Sequence, residues 1–179
     1  MAIFVNFAAF QLGWFSAVIG AAKGMPWVGP LVIAVALLLH LRRAERPVEE
    51  LGLALAAAVL GTWFDSALVA MGWVGYSSGQ LHAMIAPYWI VAMWVLFATT
   101  LNLSLRWLRG RAWLAAIVGA ISGPLTYVAG SRLGAMEFLN AEAALIALAI
   151  GWAVMLPALV ALGTRLDGFS ERPVEVALR

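Results

Sequence analysis

With 179 residues, 64% of them hydrophobic and 11% charged, the chain is far more apolar than a soluble domain, where about 25% of residues carry charge. A mean hydropathy of +0.96 points to an integral membrane protein with no room for a separate soluble domain, and zero cysteines exclude a disulfide framework, a thiolate metal site and a thiol nucleophile. The net charge is +2 and the pI near 9.5, but the basic residues fall where membrane topology places them, so no nucleic-acid partner is expected.

A bilayer core of about 30 Å needs roughly 20 helical residues, and six runs meet or approach that length. They cover 3–22, 26–41, 50–72, 87–107, 112–131 and 141–163. The first lacks a basic n-region and is expected to span rather than to be cleaved as a signal. The second is short, bounded by Pro26 and by His40-Leu41-Arg42-Arg43. The expected fold is therefore all-α, a polytopic membrane helix bundle with six transmembrane helices over residues 1–165 and a short cytoplasmic tail over 166–179.

Orientation follows from arginine. The connection after the second run carries Arg42, Arg43 and Arg46, the one after the fourth carries Arg106, Arg109 and Arg111, and the tail carries Arg165, Arg172 and Arg179. The opposite side has only Lys23 and Arg132. This asymmetry puts both termini in the cytoplasm, and the expected location is a bacterial inner membrane. Trp27, Trp73, Tyr88 and Trp89 form an expected outer aromatic belt, with Trp107 and Trp113 at the inner interface.

Asp65 is the ionisable residue that this pattern leaves over. It sits well inside the third run, where a charge costs on the order of 2.5 to 3.5 kcal/mol to insert, which marks it as a functional candidate. Helical spacing puts Ala58, Gly61, Thr62, Asp65 and Gly72 on one face, and the fifth run carries a similar stripe of Gly119, Gly123, Thr126, Tyr127, Gly130 and Gly134. Small faces allow close approach, so the third helix is expected to pack its Asp65 face on the fifth.

Two polar layers result. The outer one joins Asp65 and Ser66 to Thr126, Tyr127, Ser131 and Arg132, with Trp63 and Trp94 as aromatic neighbours. The candidate ligand-binding residues are Asp65, Trp63, Trp94, Thr126, Tyr127 and Arg132. The inner layer joins Asn6 and Gln11 to Thr99, Thr100 and Asn102. Asp65 has a structural reading too, as a carboxyl bonded to Tyr127 or paired with Arg132 to lock the bundle. His40 and His82 lie near opposite ends, so no two-histidine metal site forms within one protomer. No phosphate loop, nucleophile elbow or zinc-protease motif is present, catalytic residues are not identifiable, and no cofactor or metal is expected.

Asn6 with Phe10-Gln11-Leu12-Gly13-Trp14, Asp65, Pro87-Tyr88-Trp89 leading to Met93-Trp94, and Gly119-Ala120 with Gly123-Pro124 through Tyr127, Gly130 and Gly134 together resemble a family of small bacterial inner-membrane proteins, a domain of unknown function. Members are often encoded near enzymes that modify membrane fatty acids, and the resemblance implies a lipid-related role by association. It brings no catalytic residues.

The leading expectation is a lipid-associated protein that holds an acyl chain or other apolar ligand in a cleft around Asp65, open to the outer half of the bilayer. A small proton-coupled transporter is the alternative, with Pro124 and Pro157 as helix breaks. A membrane enzyme or an accessory subunit follows. Expected partners are membrane lipids, with a second copy of the chain or a membrane enzyme as further candidates.

Overall fold

The computed structural model describes residues 2–169. The expected tail from Ser170 onward, including Arg172 and Arg179, lies outside the described residues. Six α-helices run in chain order: α1 (Ala2–Ala22), α2 (Val28–Leu41), α3 (Pro47–Ala70), α4 (Tyr88–Leu101), α5 (Ala112–Arg132) and α6 (Ala141–Arg165). Of these, α1, α3, α5 and α6 are long and apolar enough to cross a membrane. The shorter apolar helices α2 and α4 have 14 residues each, a length of roughly 21 Å.

Two departures from the expected helices have local causes. The fourth run, expected to continue to 107, leaves the helix at Leu101, and the chain turns with Leu103 N–H and Leu105 N–H both on the Thr100 carbonyl before a 3₁₀ turn at Arg106–Leu108. Asn102, fully buried, takes its side chain to a partner on α3, which holds the chain in this turn.

The second departure is a small antiparallel sheet in a fold expected to be all-α. Strand β1 (Val74–Tyr76) pairs with β2 (Met136–Phe138), Val74 opposite Phe138 and Tyr76 opposite Met136. Both strands follow helices that end the same way. Gly72 and Gly134 take left-handed conformations with φ of 67° and 85°. The next residues donate back, Trp73 N–H to the Leu68 carbonyl and Ala135 N–H to the Gly130 carbonyl. This is the Schellman closure, which reverses the chain within a few residues and aligns the two emerging strands.

Helix pairing differs from the small-residue expectation. The principal pairs are α5 with α6, α3 with α4, and α1 with α2, while α1 and α2 also pack on α4. The third and fifth helices do not form the expected interface. Each small face seats a large ring from another helix instead. A Cβ at Gly61 would lie 1.9 Å from the Trp94 indole of α4, and one at Gly123 would lie 2.3 Å from the Trp152 indole of α6. Gly151 on α6 likewise receives Phe64 of α3. Glycine lets the helices approach, as expected for membrane packing, but the partner is chosen by the ring that fills the notch.

Pro124 and Pro157 lie inside α5 and α6, and both helices continue through them. The breaks expected of a transporter are absent from these two helices.

Candidate functional site

Asp65 is fully buried and accepts three hydrogen bonds. The Tyr76 hydroxyl of β1 donates to Oδ1 at 2.9 Å, the Tyr127 hydroxyl of α5 donates to the same oxygen at 2.5 Å, and Trp94 Nε1 of α4 donates to Oδ2 at 2.7 Å. Four elements converge on one carboxyl group. Burial, then the adjacent Asp65, holds the Tyr76 hydroxyl well above its ordinary pKa of 10, so Tyr76 acts as a proton donor in this bond. Hydrogen bonding of all three donors is what makes burial of such a group tolerable.

The helices are built to bring these donors in. Gly61, one turn before Asp65, removes the side chain that would keep Trp94 away. Trp94 in turn stacks on Trp152 with ring centroids 4.9 Å apart and planes at 16°, and Phe97 meets both rings edge-on. Tyr76 is placed by the sheet and packs edge-on against Trp89.

On the other side of Trp94 and Tyr127 lies a cleft of about 320 Å³. Helices α1 and α5 share no principal interface, and the space between them forms the cleft. Phe7, Phe10 and Trp14 of α1 line one wall, and Val118, Ser122 and Thr126 of α5 line the other. Met93, Trp94 and Phe97 of α4, with Trp152 and Leu156 of α6, form the floor. Two of the hydroxyls along it are bonded within their own helices: Thr126 donates to the Ser122 carbonyl at 2.8 Å and Thr100 to the Phe97 carbonyl at 2.7 Å, while the Ser122 hydroxyl has no hydrogen bond among the described residues. The cleft therefore offers mainly rings and methyl groups. Its volume and composition are those of a small-molecule site.

The outer polar layer expected from the sequence is only partly assembled. Asp65, Trp94 and Tyr127 come together, but as a wall: Asp65 lies behind the two rings and is sealed from the cleft. Thr126 lines the cleft without touching Asp65's oxygens. Trp63 is a correction. It is 73% exposed and points away from the bundle, because the residue two positions before Asp65 falls on the opposite side of the helix. Arg132 is also exposed, on the last turn of α5, and the hydroxyls of Tyr76 and Tyr127 take the place expected for it at Asp65. Ser66 accepts from Ala86 N–H instead of joining the carboxylate.

The inner layer divides in two. Asn6 donates to the Thr99 carbonyl at 3.0 Å and accepts from Ser104 at 2.5 Å, tying α1 to α4. The Thr99 hydroxyl turns back to the Leu96 carbonyl, and Gln11 is half-buried with no side-chain hydrogen bond among the described residues. Asn102 joins a larger constellation that sequence reasoning missed. Its amide donates to Glu50 Oε1 at 2.6 Å and to the Leu166 carbonyl at 2.9 Å, and its oxygen accepts from Arg109 at 2.6 Å. Glu50 is 2% exposed, bonds His40 Nε2 at 2.8 Å and accepts from Gly168 N–H at 2.8 Å. Asp167 pairs with Arg106 and, at 2.7 Å, with Arg109. Residues 166–169, expected to begin a tail, are packed into the bundle by these bonds. Nothing local in the sequence singles out Glu50 or Asp167, because their partners are remote: Glu50 and Asn102 are 52 positions apart.

The sequence matches, over residues 3–158, the family model described as "Protein of unknown function (DUF2878)". No curated protein and no solved structure matches the chain.

Proposed function

The chain belongs to that family of proteins of unknown function, whose name carries no activity with it. We propose from the cleft itself that it is an integral membrane protein that holds an acyl chain, or a similar apolar chain, between α1 and α5. The observation that carries this reading is a space of about 320 Å³ walled by Phe10, Trp14, Trp94, Phe97 and Trp152, in which the Thr100 and Thr126 hydroxyls are bonded within their own helices. Such a surface offers little to a polar solute. A chain of lipid dimensions can reach it sideways from the bilayer, and since it leaves hydrocarbon rather than water, van der Waals contact with the rings is what favours it there. Asp65 serves this site indirectly, by fixing the Trp94 and Tyr127 rings through their polar edges.

In this reading all six helices span. Helices α2 and α4, at roughly 21 Å, are completed by their flanking turns. The arginine-bearing end, with Arg42, Arg43, Arg46, Arg106, Arg109 and Arg111, faces the cytoplasm of a bacterial inner membrane, and the sheet end faces outward.

Photo-crosslinking in lipid nanodiscs tests the cleft. A diazirine-bearing fatty acyl probe should label peptides containing Phe97 and Ser122 saturably, and an unlabelled chain should compete. Ser122→Phe, which fills the wall, should remove the saturable part. Labelling that rises linearly with probe and is indifferent to Ser122→Phe would reduce the cleft to ordinary lipid-facing surface.

A further inference from the structure

The depth of the cleft along its two walls narrows what it can hold. On α1 (Ala2–Ala22) it runs from Phe7 to Val18, and on α5 (Ala112–Arg132) from Val118 to Gly130. Each stretch is centred within about two residues of the middle of its helix, roughly 3 Å along the axis. With both helices spanning, the cleft straddles the bilayer midplane and reaches about 8 Å to either side of it. A chain hanging from a headgroup in one leaflet ends near the midplane, about 15 Å in, and would fill one half only.

Both ends of the cleft are tied below the headgroup level. At the sheet end, Ser77 Oγ lies 2.9 Å from the Ala135 carbonyl just beyond α5 and 3.3 Å from the Ala21 carbonyl of α1, and Ser78 Oγ bonds Ala21 as well at 2.8 Å. At the opposite end, Ser104 Oγ donates to Asn6 Oδ1 at 2.5 Å, and Asn6 donates to the Thr99 carbonyl at 3.0 Å, joining α1 to α4. Among the described residues no charged side chain lines the space between. Of its aliphatic hydroxyls, Thr100 and Thr126 are bonded within their own helices and Ser104 is bonded to Asn6. Ser122 is left with an open hydroxyl, exposed to the cleft at the middle residue of α5.

We propose that the occupant is an uncharged lipid, a long-chain alcohol or ketone without a headgroup, lying across the midplane with its oxygen on the Ser122 hydroxyl. This rests on the acyl-chain reading above and adds the class of lipid and its polar contact. A phosphate or carboxylate at that depth would lose its hydration with no cation in the cleft to meet it. Held at the interface instead, it would keep its chain out of the half of the cleft beyond the midplane. A single hydroxyl or carbonyl group carries no such anchor, so its chain can slide to the middle of the bilayer and enter sideways. Ser122 suits either oxygen, since a hydroxyl both donates and accepts.

The test uses one diazirine-tagged chain in three forms, as the free long-chain alcohol, as the alkane and as a phosphatidylcholine, each diluted into phosphatidylcholine nanodiscs with the full-length protein. The alcohol should label the Phe97 and Ser122 peptides saturably, and about tenfold or more better than the phospholipid at equal concentration. It should also exceed the alkane about fivefold, the worth of one neutral hydrogen bond. Ser122→Ala should bring the alcohol down to the level of the alkane, whose own labelling shows that the cleft is still formed. Phospholipid labelling equal to that of the alcohol overturns the uncharged class and leaves the acyl-chain reading standing. An alcohol no better than the alkane, or a preference that survives Ser122→Ala, overturns the Ser122 contact. Absence of saturable labelling by all three overturns the acyl-chain reading itself.

Discussion

Asp65 has three neutral donors aimed at it, from Tyr76, Tyr127 and Trp94, and no cation bonded to it among the described residues. Removing the carboxyl group would strand all three in a buried site, at roughly 1–3 kcal/mol each. Asp65→Ala should therefore lower the melting temperature in detergent sharply. Asp65→Asn should lower it much less, because its amide oxygen can accept from Trp94 while its NH₂ donates to phenol oxygens, which accept as well as donate. Equal losses for the two variants, or none for Ala, would show that the three bonds do not hold the bundle. The importance of Asp65 was legible in the sequence because a lone acid in an apolar run stands out. Its partner Tyr127 was among those considered, but Tyr76 was not, since it belongs to a strand that no periodicity announced. Trp63 was misplaced for a different reason. Nearness in sequence does not bring it near Asp65 in space, because two helical positions separate opposite faces.

At the scale of elements, the long helices were readable because lipid leaves a chain little choice: twenty apolar residues must close their backbone bonds internally. The expected spans of α1, α5 and α6 agree with the observed ones to within two residues at each end. What could not be read was pairing. A small-residue stripe states that something approaches closely but not what, and the occupants of Gly61 and Gly123 are indoles from α4 and α6. The end of α4 was illegible because Asn102 answers to Glu50 on another helix. Whether α2 and α4 cross the membrane is a matter of topology that cysteine labelling can resolve, since the chain has no native cysteine to remove. Glu45→Cys and Ala112→Cys should be modified from one side only, and Leu81→Cys and Leu139→Cys from the other only. Modification of Glu45→Cys and Leu81→Cys from the same side would break the six-span arrangement.

For the whole molecule, the pattern of contacts matters more than any single residue. Helices α1 and α2 pack on one side of α4, the α5–α6 pair lies apart from them, and α6 reaches both α3 and α4. Two polar clusters brace this frame, one at Asp65 toward the sheet end and one around Glu50, Asn102 and Asp167 at the arginine-bearing end. Between the braces, α1 and α5 stand apart and leave the aromatic cleft. This gap is a property of the assembled bundle, so no segment of sequence contains it. The sequence points to Asp65 itself as the ligand site, whereas the acyl-chain site proposed above lies on the far side of the Trp94 and Tyr127 rings. The most direct check is a crystal structure of the wild-type protein grown from a lipidic phase. The account predicts elongated electron density running between α1 and α5, in contact with Trp94, Phe97 and Trp152, and ending near Ser104. Helices α1 and α5 in direct contact, with the cleft closed and no such density, would contradict it.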